Sequence, residues 1–257
     1  MALRLSQNHL MVVDNCPRQF QYLYLDQIGG IGRGESLPLV WGSQFHQLML
    51  QQDLGLPLPA PDDPAADPEL SRCIRGLKAA APELFEASLI GQSEYPISAV
   101  VQGHTLVAVY DRLILGGDRA IIYDWKTYAQ PPSATELADH WQTRLYLYLL
   151  AEVGHYAPEH LSMVYWFVRL SPDHPKPTSV TLPYSVERHE RTDAELTQKL
   201  QQLNQWLELY DRHALPQVPI DSPHCRTCAF AVCCDRLPSQ RAAQRLLALD
   251  SVDEVSP

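Results

Sequence analysis

The sequence predicts an α/β fold in which one mixed sheet is flanked by helices. Residues 94 to 115 and the run that follows Gly117-Asp118 are rich in alternating β-branched and aromatic residues, which is typical of strands. Two later runs, "LSMVYWFVRL" and "PTSVTLPYSV", predict two more strands joined by a Pro-rich turn. Helical periodicity before and after these runs predicts helices that cover the sheet.

The predicted helices follow in chain order and are separated by turn-forming residues. Ser6 can cap a first short helix, and Cys16-Pro17 opens a second. The remaining predicted helices are "WGSQFHQLMLQQD", a segment around residues 70 to 88, one of about 16 residues after the hairpin, and "TDAELTQKLQQLNQWLELYDRH" with Thr192 as its cap. Residues 54 to 69 are Pro- and Asp-rich and predict a mobile loop, and residues 241 to 257 predict a helical to frayed tail.

The composition is that of a globular protein. The chain has 257 residues, of which 46% are hydrophobic and 19% are charged, so one large domain is possible. The N-terminus has no long apolar core of a signal peptide, and no run reaches membrane-spanning length. We therefore expect a cytoplasmic protein with no membrane partner. The net charge of −10 argues against a broad nonspecific nucleic-acid surface but leaves room for a locally basic groove.

The stretch "YDRLILGGDRAIIYDWKTY" places charged residues inside two apolar runs. Gly117-Asp118 predicts a tight hairpin turn of type II′ between these runs. In that register Asp111 faces Asp124, with Cβ atoms roughly 5 Å apart, and Lys126 shares the strand face of Asp124. A slip of one residue would break this arrangement.

Facing carboxylates repel each other, so this hairpin predicts a cation between them. Oxygen ligands with open positions suit Mg²⁺ or Mn²⁺. A lysine beside such a site can orient an attacking water or stabilise a pentavalent phosphorane. The alternative for the hairpin alone is an exposed face that carries ordinary charges.

Residues from the flanking helices join those of the hairpin in a fixed order along the chain: His46, Asp111, Asp124, Trp125, Lys126, Gln142 and Tyr146. This set resembles the RecB-like branch of the PD-(D/E)XK nuclease superfamily. The opening "LSQNHLMVVDNCPRQFQYLYL" also looks like the first helix of that branch, and the match extends from about residue 5 to residue 236. The resemblance implies a restriction-endonuclease-like domain over residues 1 to 240. Two departures are Ala108, where the family often has glycine, and Tyr110, in the position of the superfamily's proline.

The resemblance also implies a role for each of these residues. His46, Asp111 and Asp124 would hold a divalent metal, and the carbonyl of Trp125 would add a ligand. Lys126 would position the water. Gln142 and Tyr146 lie four residues apart and share a helical face. In the family this pair supports the lysine and contacts DNA.

Several residues have an alternative explanation. His46 could be a core histidine, and Tyr146 could be a core residue with Tyr148 as an equally aromatic neighbour. Glu94 stands where some relatives carry an acid, but a role outside the site is favoured for it. Three arginines are candidates for phosphate contacts, although exposed arginines are usually only solvated: Arg18, Arg112 and Arg144.

The cysteines predict a second metal site. Cys225, Cys228 and Cys234 form a tight cluster, and Cys16 lies near the other end of the chain. Four thiolates satisfy a 4Fe-4S cluster or a structural zinc equally well. One N-terminal and three C-terminal cysteines resemble the iron–sulfur subset of RecB-like nucleases, which includes CRISPR-adaptation exonucleases and AddB-type nuclease domains. This resemblance favours iron–sulfur, with Cys73 and Cys233 as spare thiols.

Two functions are compatible with these patterns. The first is a Mg²⁺- or Mn²⁺-dependent DNA nuclease, an exonuclease acting on single strands or duplex ends in repair or CRISPR adaptation, with a possible protein partner. The second is a nuclease-fold protein that binds DNA ends or a partner and has little independent catalysis. Intact Asp111, Asp124 and Lys126 favour the first function.

Overall fold

The computed structural model describes residues 1–28, 37–59, 67–85, 91–128, 131–171 and 175–236. Within these residues the chain forms two compact units. One contains residues 8–28 and 202–236, and the other contains residues 2–7 and 37–201. The nuclease domain over residues 1 to 240 stays a prediction. The predicted tail over residues 241 to 257 lies outside the described residues, as does part of the predicted loop over 54 to 69.

The second unit contains the predicted mixed sheet, which has six strands. The strands are β1 (Arg4–Leu5), β2 (Gly91–Val101), β3 (His104–Gly116), β4 (Arg119–Lys126), β5 (Leu161–Phe167) and β6 (Thr178–Pro183). Strands β1 and β3 are parallel, as are β4 and β5, and the other pairs are antiparallel. Strand β2 pairs along most of β3, while β1 pairs with the first residues of β3 and β4 with the last.

The β3–β4 hairpin has the predicted register. Facing pairs run from Gly116 and Arg119 to Arg112 and Tyr123, one step before Asp111 and Asp124. Gly117 takes a φ of 49°, the positive value that the first turn residue of this hairpin type requires. The turn therefore places the two acidic residues where the two strands begin to separate.

Seven α-helices are present in the described residues. They are α1 (Gln7–Asn15), α2 (Pro17–Phe20), α3 (Leu37–Asp53), α4 (Pro68–Ala80), α5 (Ala134–Asp139), α6 (Trp141–Gly154) and α7 (Val186–Leu209). The π-helical segment Gln21–Leu25 directly continues α2. None of the helices in the described part of the chain is both long and apolar enough to span a membrane.

Three predicted helices differ from the observed ones. The helix expected around 70 to 88 ends at Ala80, and Pro82–Phe85 forms a 3-10 turn instead, because proline cannot continue a helix. The single helix expected after the hairpin is two helices, since His140 has an extended backbone and its ring accepts a hydrogen bond from the N–H of Gln142. Thr192 is buried inside α7, and Ser185 accepts a bond from the N–H of Arg188 at the helix start.

Apolar side chains from α3, α4 and the sheet form one continuous core in the second unit. Trp41 and Phe45 of α3 and Ile74 and Leu77 of α4 pack in one cluster with Trp125 of β4. Burying these large side chains holds α3 against the strand that carries Asp124 and Lys126. The core therefore positions a helix beside the acidic end of the hairpin.

Candidate active site

Asp111 occupies the point where β4 separates from β3. Its Oδ2 accepts a hydrogen bond of 2.7 Å from the backbone N–H of Trp125. The side-chain carboxylate takes the place of the backbone carbonyl that would serve this N–H in a continuous ladder. Asp111 is therefore tied to the strand that carries Asp124 and Lys126.

Helix α3 brings His46 to the same point. The His46 Nδ1 lies 3.2 Å from an Asp111 carboxylate oxygen, and the Nε2 lies 3.1 Å from the carbonyl oxygen of Trp125. These three predicted metal-binding residues thus lie together. A core histidine would be fully buried, whereas the His46 side chain is 32% exposed.

Glu94 joins this group, which the sequence did not favour. Ligand atoms of His46, Glu94 and Asp111 all lie within 4.8 Å of one another. Glu94 is in β2, which pairs with β3, and it takes a φ of 49°, an uncommon value for a residue other than glycine. In the sequence, the only indication of a role for Glu94 was that some relatives carry an acid at this position. The pairing of β2 with β3 is what brings Glu94 close to Asp111.

Asp124 lies in a second, adjoining cluster with Lys126 and Gln142. The Lys126 Nζ lies 2.6 Å from Asp124 Oδ1 and donates a 2.8 Å hydrogen bond to Gln142 Oε1. The Gln142 amide nitrogen donates in turn to Asp124 Oδ2 at 2.5 Å. The three side chains therefore form a closed ring of contacts in which Gln142 bonds to both Lys126 and Asp124.

Tyr146 lies behind this ring, one helical turn after Gln142. It is buried, and its hydroxyl forms a hydrogen bond with the Gln142 side chain. Its backbone carbonyl accepts a 2.9 Å bond from the hydroxyl of Tyr110. The neighbouring Tyr148 donates its hydroxyl to Asp193 instead. Tyr146, and not Tyr148, is therefore the tyrosine that contacts the acidic cluster.

The pKa values of the site's acidic residues show that negative charge is unfavourable there without a cation. Burial, and then the charge of Asp111, raise the pKa of Asp124 to about 7 although Lys126 opposes the shift. Burial and Asp111 also raise the pKa of Glu94. Burial lowers the pKa of His46, but the hydrogen bond and charge of Asp111 outweigh it, so that pKa lies above its usual value. For Asp124 and Glu94 the charge of Asp111 adds to the effect of burial, and a bound cation would relieve this repulsion between carboxylates.

The donor set fits a hard divalent cation. One imidazole and carboxylate oxygens suit Mg²⁺ or Mn²⁺. The Oδ1 of Asp124 is buried and, despite its ion pair with Lys126, has no hydrogen bond within the described residues. That oxygen keeps a lone pair that a cation could use. His46, Glu94 and Asp111 would supply the nearest group of ligands, and Asp124 an adjoining one.

The site opens into a cleft of about 670 Å³. Its lining includes His46, Glu94, Asp111 and Lys126, together with Tyr128 just beyond β4. Two of the arginines predicted as phosphate contacts lie elsewhere. Arg112 is buried and paired with Asp53, and Arg144 pairs with Glu195 at 2.6 Å while stacking on Trp141.

The predicted cysteine site lies within the other compact unit. Cys16, Cys225, Cys228 and Cys234 line one small cavity, whereas Cys233 is exposed. Cys73 belongs to the other unit, where it is buried in the core of α3 and α4. The four cysteines that were predicted to form a metal site thus lie around a common space.

Several side chains hold this cavity together. Tyr22 donates to the carbonyl of Cys233 at 3.1 Å, and its ring packs against Phe230 with centroids 5.3 Å apart. Arg18, the third predicted phosphate contact, donates to the carbonyl of Leu215 at 2.6 Å. It serves here to fasten the N-terminal segment to the C-terminal one.

Arg236 contributes a charged donor to the cysteine site. It donates to the Cys225 sulfur at 3.0 Å and to the backbone carbonyls of Val218 and Pro219 at 2.5 Å and 2.9 Å. Burial raises the pKa of Cys228 and Cys234, so a metal would have to displace their protons.

Comparison with known proteins identifies the family. A model of the PD-(D/E)XK nuclease superfamily matches residues 4–235. A search of curated proteins finds no match. The chain is similar to a solved structure from Eubacterium rectale provisionally described as an exonuclease, at a TM-score of 0.55 and 11% identity over 91% of this chain and 88% of that one. It is also similar to an alkaline exonuclease from Laribacter hongkongensis, at a TM-score of 0.37 and 13% identity over 81% and 92%. The first likeness concerns the fold alone, and the second adds nothing to it.

Proposed function

Because the chain belongs to the PD-(D/E)XK nuclease superfamily, we propose that it is a divalent-metal-dependent nuclease that hydrolyses phosphodiester bonds in DNA. The observation that carries this proposal is the juxtaposition of two clusters. One is His46, Glu94 and Asp111, whose ligand atoms lie within 4.8 Å of one another. The other is the ring of Asp124, Lys126 and Gln142.

The two clusters divide the work of phosphodiester hydrolysis. His46, Glu94, Asp111, Asp124 and the Trp125 carbonyl would hold Mg²⁺ or Mn²⁺. When bound, the ion supplies Lewis-acid chemistry at the phosphate. Each of these protein groups presents an oxygen or nitrogen lone pair, and a divalent cation would offset the mutual repulsion of the acids among them.

Lys126 acts on the reacting phosphate and on the attacking water. Its ammonium is held by Asp124 and Gln142, so it does not have to be reorganised when charge develops on the phosphate oxygens. Tyr146 supports Gln142 from behind, which makes it a positioning residue. Gln142 and Tyr146 thereby keep the lysine aimed at the cleft.

We place the protein in the RecB-like branch and propose exonuclease action on single strands or duplex ends. The order of His46, Asp111, Asp124, Lys126 and Gln142 along the chain supports this placement. The setting we propose is DNA repair or CRISPR adaptation in the cytoplasm, with a protein partner possible. The net charge of −10 agrees with some dependence on such a partner, since the protein attracts DNA weakly.

For the cysteine site we propose a 4Fe-4S cluster with a structural role. Cys16 and the C-terminal cysteines come from opposite ends of the chain, where a cross-link restricts the unfolded chain most. Four thiolates would satisfy zinc equally well, and the division into one N-terminal and three C-terminal cysteines is what supports iron–sulfur.

The test is incubation of purified protein with end-labelled single- and double-stranded DNA, with and without Mn²⁺. We expect cleavage that requires the metal and stops when a chelator is added. Activity that a chelator leaves unchanged would overturn the proposal.

The second candidate is a nuclease-fold protein that binds DNA ends or a partner with little catalysis of its own. One observation favours the partner-binding form of this candidate: among the described residues that line the cleft, Lys126 is the one lysine or arginine, so attraction to DNA is weak. The same experiment separates the two candidates, because a binding protein would retain labelled DNA without shortening it.

A further inference from the structure

Tyr128 occupies a position in the cleft for which the catalytic roles above have no use. It lies two residues beyond Lys126 and lines the same cleft as Glu94, Asp111 and Lys126. Tyr128 is 43% exposed, whereas Tyr110 on the neighbouring strand is fully buried. Burial raises the pKa of the Tyr128 hydroxyl, and the charges of Lys126 and Asp124 act on it in opposite directions.

The Tyr128 ring rests on a rigid support. It contacts the ring of Phe167 with centroids 5.4 Å apart and planes inclined by 63°. Phe167 is buried at the end of β5, where it pairs with Lys126 of β4. A ring anchored in this way loses little conformational entropy when a ligand stacks on it. The support also fixes the ring relative to the lysine that serves the phosphate.

A second apolar group is exposed in the same cleft. Val109 is 39% exposed, lines the cleft, and precedes Asp111 by two residues on β3, which places both side chains on one face of the strand. Exposed apolar residues are ordinary on a protein surface when they are isolated. Here a tyrosine and a valine are exposed together beside the acidic cluster, which points to an apolar ligand surface.

The charges of the cleft indicate what kind of ligand this is. Lys126 is the one lysine or arginine among its described lining residues, and the chain carries a net charge of −10. Attraction to phosphates is therefore weak, and affinity must come from other contacts. Stacking of a base on an aromatic ring is such a contact, and it tolerates any base sequence. Bases inside a duplex are stacked on one another and cannot reach the ring.

We propose that Tyr128 is a stacking platform that holds an unpaired nucleobase of the substrate beside the phosphate served by Lys126. This inference rests on the proposed nuclease function and names the feature of the substrate that the cleft selects. The cleft therefore binds DNA in which a base can unstack from its neighbours, that is, single-stranded DNA and the frayed ends of a duplex. The ring binds the base, and it takes no part in bond cleavage.

The first experiment compares three substitutions at Tyr128 on a single-stranded oligonucleotide. Tyr128→Ala should raise KM about 10-fold with a smaller effect on kcat, because it removes a base-stacking surface. Tyr128→Leu keeps apolar bulk without a ring and should behave like Tyr128→Ala, whereas Tyr128→Phe should match the unmodified protein. Val153→Ala is the control, since Val153 is 41% exposed but does not line the cleft. Equal KM values for Tyr128→Ala and the unmodified protein would overturn the proposal.

A second experiment identifies the base as the partner of the ring. Oligonucleotides with an abasic site stepped through the positions next to the cleaved bond should include one that binds the unmodified protein about 10-fold more weakly. Tyr128→Ala should show no further loss on that oligonucleotide. Additive losses at every position would mean that Tyr128 and the bases act independently, contrary to the proposal.

Binding by fluorescence anisotropy in a chelator keeps this inference separate from the nuclease assignment. Absence of cleavage in Mn²⁺ would refute the proposed function, while the same substitutions would still be judged by metal-free binding of single-stranded DNA. Failure of the unmodified protein to bind any single-stranded oligonucleotide, DNA or RNA, would overturn the stacking proposal itself.

Discussion

The ammonium of Lys126 lies 2.6 Å from a carboxylate oxygen of Asp124, two residues earlier on the same strand, and Gln142 bonds to both side chains. Successive side chains of a strand alternate between its faces, so residues two apart share one face. The glutamine comes from the helix that follows the hairpin. The alternation of side chains along β4 and a contact from a distant helix therefore orient Lys126 together.

Replacement of Lys126 tests its part in catalysis. Lys126→Met removes the ammonium but keeps most of the side-chain volume. We expect kcat to fall about 100- to 1,000-fold, the usual cost of losing one preorganised donor to the transition state. Mn²⁺ affinity, measured by calorimetry, should fall far less, because the ligand groups remain. Lys199→Met, which removes a lysine stacked on Trp141, is the control and should leave kcat unchanged.

Replacement of Glu94 tests its addition to the metal group. Glu94→Gln removes one negative charge with little change of shape, and we expect Mn²⁺ to bind roughly 10-fold more weakly. Asp111→Asn should weaken binding at least as much, since its carboxylate contacts His46 and the Trp125 N–H. Asp118→Asn, at the exposed turn of the same hairpin, is the control. Unchanged Mn²⁺ affinity in Glu94→Gln would restrict the site to the residues predicted from the sequence.

The cysteine site makes a prediction about colour. Protein purified without oxygen should be brown, and serine at Cys16, Cys225, Cys228 or Cys234 should bleach it and lower Tm. Cys233→Ser is the matched control, because Cys233 is adjacent to Cys234 yet exposed. Colour that is lost with Cys233→Ser and kept with Cys234→Ser would reverse this assignment. A colourless protein that contains stoichiometric zinc would show that zinc occupies the site instead of the cluster, with the same link between the chain ends.

The hydrogen bond between β3 and α6 predicts that one substitution lowers stability without altering the residues proposed to bind the metal. Tyr110→Phe removes the buried hydroxyl that donates to the carbonyl of Tyr146. We expect the free energy of unfolding to fall by about 1 kcal/mol, as measured with denaturant. Tyr123→Phe is the control, since its hydroxyl forms no hydrogen bond with a described residue. Equal losses in both variants would show that the hydroxyl of Tyr110 contributes nothing specific.

The hairpin register shows how far a sequence can specify a site. Gly117-Asp118 determines which residues of β3 and β4 face each other, because a two-residue turn leaves one register for its flanking strands. That register brings Asp111 and Asp124 to the same end of the hairpin. The helix that carries Gln142 and Tyr146 was likewise predictable, since residues four apart share a helical face. Thr192 was predicted wrongly as a cap, because Ser185 starts the helix earlier.

By itself, the sequence determined strands β2 to β6, most of the helices, and the acids and lysine of the hairpin, but not the two-residue strand β1. These features depend on neighbours within a few residues, and local periodicity and turn chemistry encode them. The grouping of Cys16 with three C-terminal cysteines was predicted from a resemblance, because no local pattern joins residues so far apart. Only the tertiary structure decided that Glu94 joins His46 and Asp111, that Arg112 is buried against Asp53, and that Tyr128 is exposed in the cleft. Such outcomes depend on which side chains meet when distant segments pack, and packing depends on the shape and volume of the whole core rather than on any short pattern.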